Sequence, residues 1–190
     1  MKLSERTPRE RMVRSAAVLI REHGLAPTGM REIAAAADAP RGSLQHYFPD
    51  GKDQVVSEAL DWVAGQVTRP LLPDGTDRPQ PARKVVADMF ARFRRILELT
   101  DFAAGCAIVA TVADASANDR LRAKSAEAFG AWRAALTDVL RRGGAGKARA
   151  ERLAVTAIAA LEGALVLARA DRDLAAFDAV AKEITALMPR

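Results

Sequence analysis

The residues with the most chemical content lie close together, between Thr28 and Lys52. Arg41, Ser43, Gln45 and His46 fall on one side of a short predicted helix, and Leu44 and Phe48 turn to the other. A guanidinium reads guanine and a carboxamide reads adenine, so such a face suits a helix lying in the major groove of DNA. A bulky or acidic face would not. Plainer readings stand beside this one. His46 can be an ordinary surface histidine, Lys52 a solvated lysine, and Tyr47 and Phe48 core residues, Phe48 above all. Other chemistry is sparse. His23 and His46 are far apart, and the single Cys106 excludes an internal disulfide framework and a multi-cysteine zinc site. Cys106 reads as a small buried apolar residue. No cofactor or metal is expected. An enzyme would need an acid, base or nucleophile gathered in a cleft, and the candidates are only scattered carboxylates and one thiol.

The elements that must position these groups read as helices. The chain has 190 residues, 41 of them Ala, and few aromatics. Ala is the best helix former and a poor strand former, so the fold class is all-α, with about nine helices. Thr7-Pro8-Arg9-Glu10 is a capping box with Pro at the first helical position, and Gly24 stops the helix it opens. Thr28 can cap a second, short helix with Met30, Ile33, Ala34 and Ala37 as its apolar face. Asp38-Ala39-Pro40 must turn, and a third short helix runs from about Arg41 to Tyr47. Two short helices joined by a tight turn, behind a longer supporting helix, describe a helix-turn-helix. Lys52 opens the next helix, which runs through Val67. A proline-rich loop, from Pro70 to Pro81, is the clearest break. Helical stretches follow at 82–99, 106–115, 118–142, 148–172 and 174–188. The net charge is +5, and residues 1–52 carry nine basic and six acidic side chains, mild support for a nucleic-acid partner. The N-terminus is charged where a signal peptide needs an apolar stretch. The longest nearly charge-free run, Leu153 to Ala168, falls short of a membrane span. The expected setting is cytoplasmic.

In this order and spacing, the motifs over roughly residues 8–60 resemble the TetR family of transcriptional regulators. They are the helix ending near Gly24-Leu25, Thr28, Arg31-Glu32-Ile33-Ala34, Arg41-Gly42-Ser43-Leu44, His46-Tyr47-Phe48 and Lys52. The rest resembles the LmrA/YxaF-like branch in Phe48-Pro49-Asp50-Gly51-Lys52, Gly105-Cys106-Ala107 and Leu161-Glu162-Gly163-Ala164. The resemblance implies an N-terminal three-helix DNA-binding domain, residues 1–52, and a C-terminal helical effector-binding and dimerisation domain, residues 53–190. It implies that Thr28 and Tyr47 hydrogen-bond phosphates and that Lys52 adds charge at a helix N-terminus. Arg41, Ser43, Gln45 and His46 would face base edges or nearby phosphates, and Gly42 would allow close approach of the backbone. Asp38 stands where the family usually has Gly, and Asp tolerates the left-handed conformation such a turn needs.

The second half carries Trp62, Phe90, Phe93, Phe129, Trp132 and Leu165 on helices able to pack around one interior. The plain reading is core. The functional reading is a mainly apolar cavity for a small apolar or aromatic effector, with Glu162 as a polar anchor. Glu162 suits a dimer interface equally well, and an exposed position is a third option. The last two helices carry more apolar surface than one protomer covers, which points to a homodimer joined across a four-helix bundle, with Leu161, Phe177 and Ile184 at the interface. The expected protein is a repressor on palindromic operator DNA, released by its effector. One rival is the same fold without a small-molecule ligand; the other is a helical enzyme.

Overall fold

Thr7 opens the first helix as the sequence predicts. Its hydroxyl accepts from the Glu10 amide at 3.2 Å, and the Glu10 carboxylate accepts from the Thr7 amide at 2.9 Å. The computed structural model describes residues 7–71, 80–115 and 117–189, with the side chain of Arg41 left aside. Within them lie nine α-helices and no strand. They are α1 (Pro8–His23), α2 (Met30–Ala36), α3 (Leu44–Tyr47), α4 (Lys52–Thr68), α5 (Ala82–Leu99), α6 (Ala107–Asp114), α7 (Asp119–Arg142), α8 (Lys147–Asp171) and α9 (Ala175–Leu187). Short 3-10 turns precede α3 at Arg41–Ser43 and follow α4 at Arg69–Leu71. The Pro73 and Pro79 part of the expected loop lies outside the described residues.

The helices divide into two packing units. One holds the described residues of 1–64 and 106–128, and the other those of 65–105 and 129–190. The chain changes unit inside α4, at Gly105–Cys106 and inside α7. In the first unit α1 packs on α2 and α6. Its core is Met12, Ala16, Ile20, Ile33, Ala34, Val55, Leu60 and Ile108, all fully buried. Leu121 and Ser125 of α7 are buried as well. The Ser125 hydroxyl is satisfied by the Leu121 carbonyl at 2.9 Å, as a buried donor must be.

In the second unit α8 packs on α9 and α5, and α5 on α9. The α8 stripe Leu153, Ala157, Leu161, Ala164 and Ala168 is buried at helical spacing. Taken whole, α8 is long and apolar enough to cross a membrane, with a mean hydropathy of 1.8 over its most apolar stretch. That corrects the expectation drawn from its charge-free run alone. The fold spends one face of this apolarity on the α5 and α9 contacts.

One expected cap is different. Thr28 does not cap α2; Gly29 holds that position and its amide donates to Glu32 at 3.4 Å. The Thr28 side chain is fully buried, and its hydroxyl donates back to the Gly24 carbonyl at 2.7 Å. An ST-type local bond won over the cap.

Candidate nucleic-acid interface

The segment from α2 to α3 is held from behind. Asp38 adopts φ +47°, the left-handed conformation expected of the turn. Arg11 of α1 donates to the carbonyls of Ala37 at 2.8 Å and Asp38 at 2.9 Å, so a guanidinium fork fixes the turn. Phe48, at the end of α3, is 1% exposed. The Arg9 guanidinium stands over its ring, 5.4 Å from the centroid, and pairs with Glu58 at 2.6 Å. A helix of one turn has no stability of its own; this aromatic anchor supplies it.

Gly42, Gln45 and His46 are exposed, and among the described residues no atom beyond its chain neighbours stands within 4 Å of a Cβ added at Gly42. Ser43, Leu44 and Tyr47 are half-buried. The Ser43 hydroxyl donates to the Pro40 carbonyl at 2.6 Å, which leaves its lone pairs as acceptors. His46 and Tyr47 meet edge to face at 5.0 Å. The side chain of Arg41 lies outside the described set. Two groups expected at the DNA backbone bond to the protein's own carbonyls. Thr28 is committed to Gly24, and the Lys52 ammonium donates to the Leu25 carbonyl at 2.7 Å. Sequence reasoning missed Arg11 and Asp114. Asp114 accepts from the amides of Leu25 and Ala26, and no spacing rule connects residues so far apart in the chain.

The start of α7 is tied to α4 within the same unit. Asn118 donates to Asp53 at 2.9 Å, and Lys124 pairs with Asp61 at 2.6 Å. Burial alone would lower the Lys124 ammonium, but hydrogen bonds to Asp61 and Glu127 outweigh it and hold the group above the usual lysine range. Burial pushes the Arg21 guanidinium of α1 below its ordinary value.

The predicted effector residues separate. Trp62 belongs to the first unit, where Arg14 stands over its ring at 5.2 Å. Phe90, Phe93, Phe129, Trp132, Glu162 and Leu165 belong to the second. Trp132 is 1% exposed and meets Phe93 and Phe129 edge to face, at 6.3 and 5.7 Å. Phe90 packs in the same way on Phe177 at 5.7 Å. Leu165 is buried, and Phe129 and Glu162 are half-buried. These rings fill space. A cleft of about 250 Å3 in the second unit is lined by Val67, Leu71, Val85, Met89 and Phe93, with Gln80, Asp88 and Arg92 as polar members. Of the predicted effector residues, Phe93 alone lines it.

The residues expected at a dimer interface are not on the protomer's surface. Leu161, Phe177 and Ile184 are buried inside the second unit, so within one protomer they are core. The large apolar side chains left outside on α8 are Val155, Val166 and Leu167, and on α9 Leu187. Both faces of α8 are apolar, and hydropathy alone does not say which one turns inward.

Exposed Gly42, Gln45 and His46 on the second helical segment of a clamped helix-turn-helix are what a DNA-binding module presents. Residues 13–59 match the description "Bacterial regulatory proteins, tetR family", and residues 81–183 match "Transcriptional regulator LmrA/YxaF-like, C-terminal domain". An HTH-type transcriptional regulator of Mycobacterium tuberculosis is 36% identical over 187 residues, covering 95% of this chain and 94% of that protein. The HTH-type transcriptional regulator LmrA of Bacillus subtilis is 25% identical over 84% of this chain and 85% of its own length. A crystal structure of a TetR transcriptional regulator from Legionella pneumophila superposes with a TM-score of 0.83 at 21% identity, covering 96% of this chain and 98% of that one. The chain belongs to the TetR family, in its LmrA/YxaF-like branch.

Proposed function

We propose that this regulator is a cytoplasmic homodimer that represses transcription from a palindromic operator and acts by binding alone, without catalysis. The observation that carries the reading is the exposed Gly42, Gln45 and His46 on a segment anchored by buried Phe48. Residues 1–52 supply the DNA contacts and residues 53–190 the dimer and effector sites. Two copies of the segment, related by a two-fold axis, read two half-sites about one helical turn apart. Within each half-site Arg41, Ser43, Gln45 and His46 read bases or meet nearby phosphates, while Tyr47 approaches a phosphate. Selection from random duplexes should enrich a palindrome. Gln45→Ala should lower affinity for it by about 1–3 kcal/mol and relax preference at one base pair per half-site, with non-specific binding unchanged. Selection that enriches no sequence, or a Gln45→Ala variant with unaltered preference, would overturn this reading.

The effector is a small, mainly apolar molecule taken up in the cleft beside Phe93, and it favours a state of lower operator affinity. Phe93 touches Trp132, so occupancy should change tryptophan emission over the same concentration range that releases DNA. Linkage requires operator DNA to weaken the ligand by the factor by which the ligand weakens DNA. A compound that binds in the cleft and leaves operator affinity untouched would remove the regulatory role.

A further inference from the structure

Helix α6 ends on a carboxylate seated against the connection between α1 and α2. Asp114 Oδ2 accepts from the Leu25 amide at 2.8 Å and from the Ala26 amide at 2.9 Å. The carbonyls of the same two residues face Lys52, whose Nζ donates to Leu25 at 2.7 Å and lies 3.5 Å from the Ala26 oxygen. A third tie is the Thr28 hydroxyl on the Gly24 carbonyl. Gly24 itself has φ +95°, and a Cβ added there would stand 3.2 Å from Asp114 Oδ2. The connection is thus held by one anion, one cation and one hydroxyl, and bonds to ionised partners are the strong ones.

We propose that Asp114 is a positioning residue for DNA binding, and this rests on the DNA-binding reading above. Helix α2 begins at Met30, four residues beyond Ala26, so the path of the connection sets where α2 stands. The chain enters the first unit at Cys106, directly ahead of α6. The residue before it, Gly105, is closely covered in its own unit; a Cβ there would stand 2.7 Å from Arg169 Nη1. The Asp114 carboxylate holds the Leu25 and Ala26 amides in place, and through them the start of the helix-turn-helix.

The sign of one substitution separates positioning from plain electrostatics. Removing a carboxylate from a DNA-binding unit tightens binding to all DNA, most at low salt, if charge alone matters. Positioning requires the opposite on the selected operator. In the full-length protein, Asp114→Ala should lose about tenfold in operator affinity, while affinity for random duplex holds or rises. Amide exchange at Leu25 and Ala26 should quicken, with the cores of both units unchanged. Asp114→Asn keeps an acceptor and should lose less, and it decides the matter if Asp114→Ala does not fold. Operator and random-duplex affinities that rise together, or Leu25 and Ala26 amides that exchange at the wild-type rate, would overturn the proposal. If the wild-type protein selects no operator, the DNA reading fails, and the two amides alone decide whether Asp114 holds the connection.

Discussion

Phe48→Ala should lower the unfolding free energy by about 3–5 kcal/mol, the range for emptying a large aromatic site in a core. It should also remove operator binding under conditions where the variant is still folded. The ring is 1% exposed and is covered by the Arg9 guanidinium. Its loss leaves a cavity, and the Arg9–Glu58 pair loses the surface it lies on. The functional loss exceeds the stability loss for a local reason. Helix α3 is four residues long, with a three-residue 3-10 turn before it. Neither can persist without a tertiary anchor. Urea denaturation followed by circular dichroism gives the first quantity, and titration of operator DNA at low denaturant gives the second. A folded Phe48→Ala protein whose operator affinity stays within about twofold of wild type would show that the segment is held by something else.

The second large effect is on assembly. Val155 and Val166 of α8 are 52% and 56% exposed. With Ala159 and Ala170, also exposed, they form a helical stripe. Val166→Asp would bury an unpaired charge at a two-fold contact built on that stripe, a cost of several kcal/mol that the dimer meets twice. The variant should sediment as a folded monomer. It should bind a palindrome about 100- to 10,000-fold more weakly, because two linked half-site contacts become two separate ones. Leu161→Asp is the contrast. Leu161 is fully buried in the protomer, so that change should cost helicity as well as assembly. A Val166→Asp protein that remains dimeric and binds the palindrome at wild-type strength would move the interface away from this face of α8.

Most helices could be read before the fold was known, because their signals are local. Thr7, Pro8 and Glu10 open α1, Pro40 follows the turn, and Gly143 and Gly144 end α7. The turn was legible for the same reason, since an Asp at position 38 can take positive φ. What the sequence left unread was non-local. Lys52 has the chemistry of a phosphate ligand, and only the fold shows its ammonium against Leu25. Thr28 has the chemistry of a cap, and only the path of the chain after Gly24 turns its hydroxyl back. Leu161 and Val166 are both apolar residues of one helix, and their roles differ only by which side meets α9. Trp62 and Trp132 look alike as aromatics, yet packing assigns them to different units.

The first unit is not a contiguous stretch of chain, and this bears on how such a protein can be recombined. Its core includes Ile108 and Leu121, and its fastenings include Asp114, Asn118 and Lys124. A gene fusion that transplanted only the first sixty-odd codons would carry the helix-turn-helix without α6 or the start of α7. It would bare the side of α1 that packs on α6 and leave the Leu25 and Ala26 amides without their carboxylate. A working chimera must therefore exchange two separate stretches together. Pairing between residues such as Leu25 and Asp114 sets a barrier to shuffling that a count of conventional modules would not reveal.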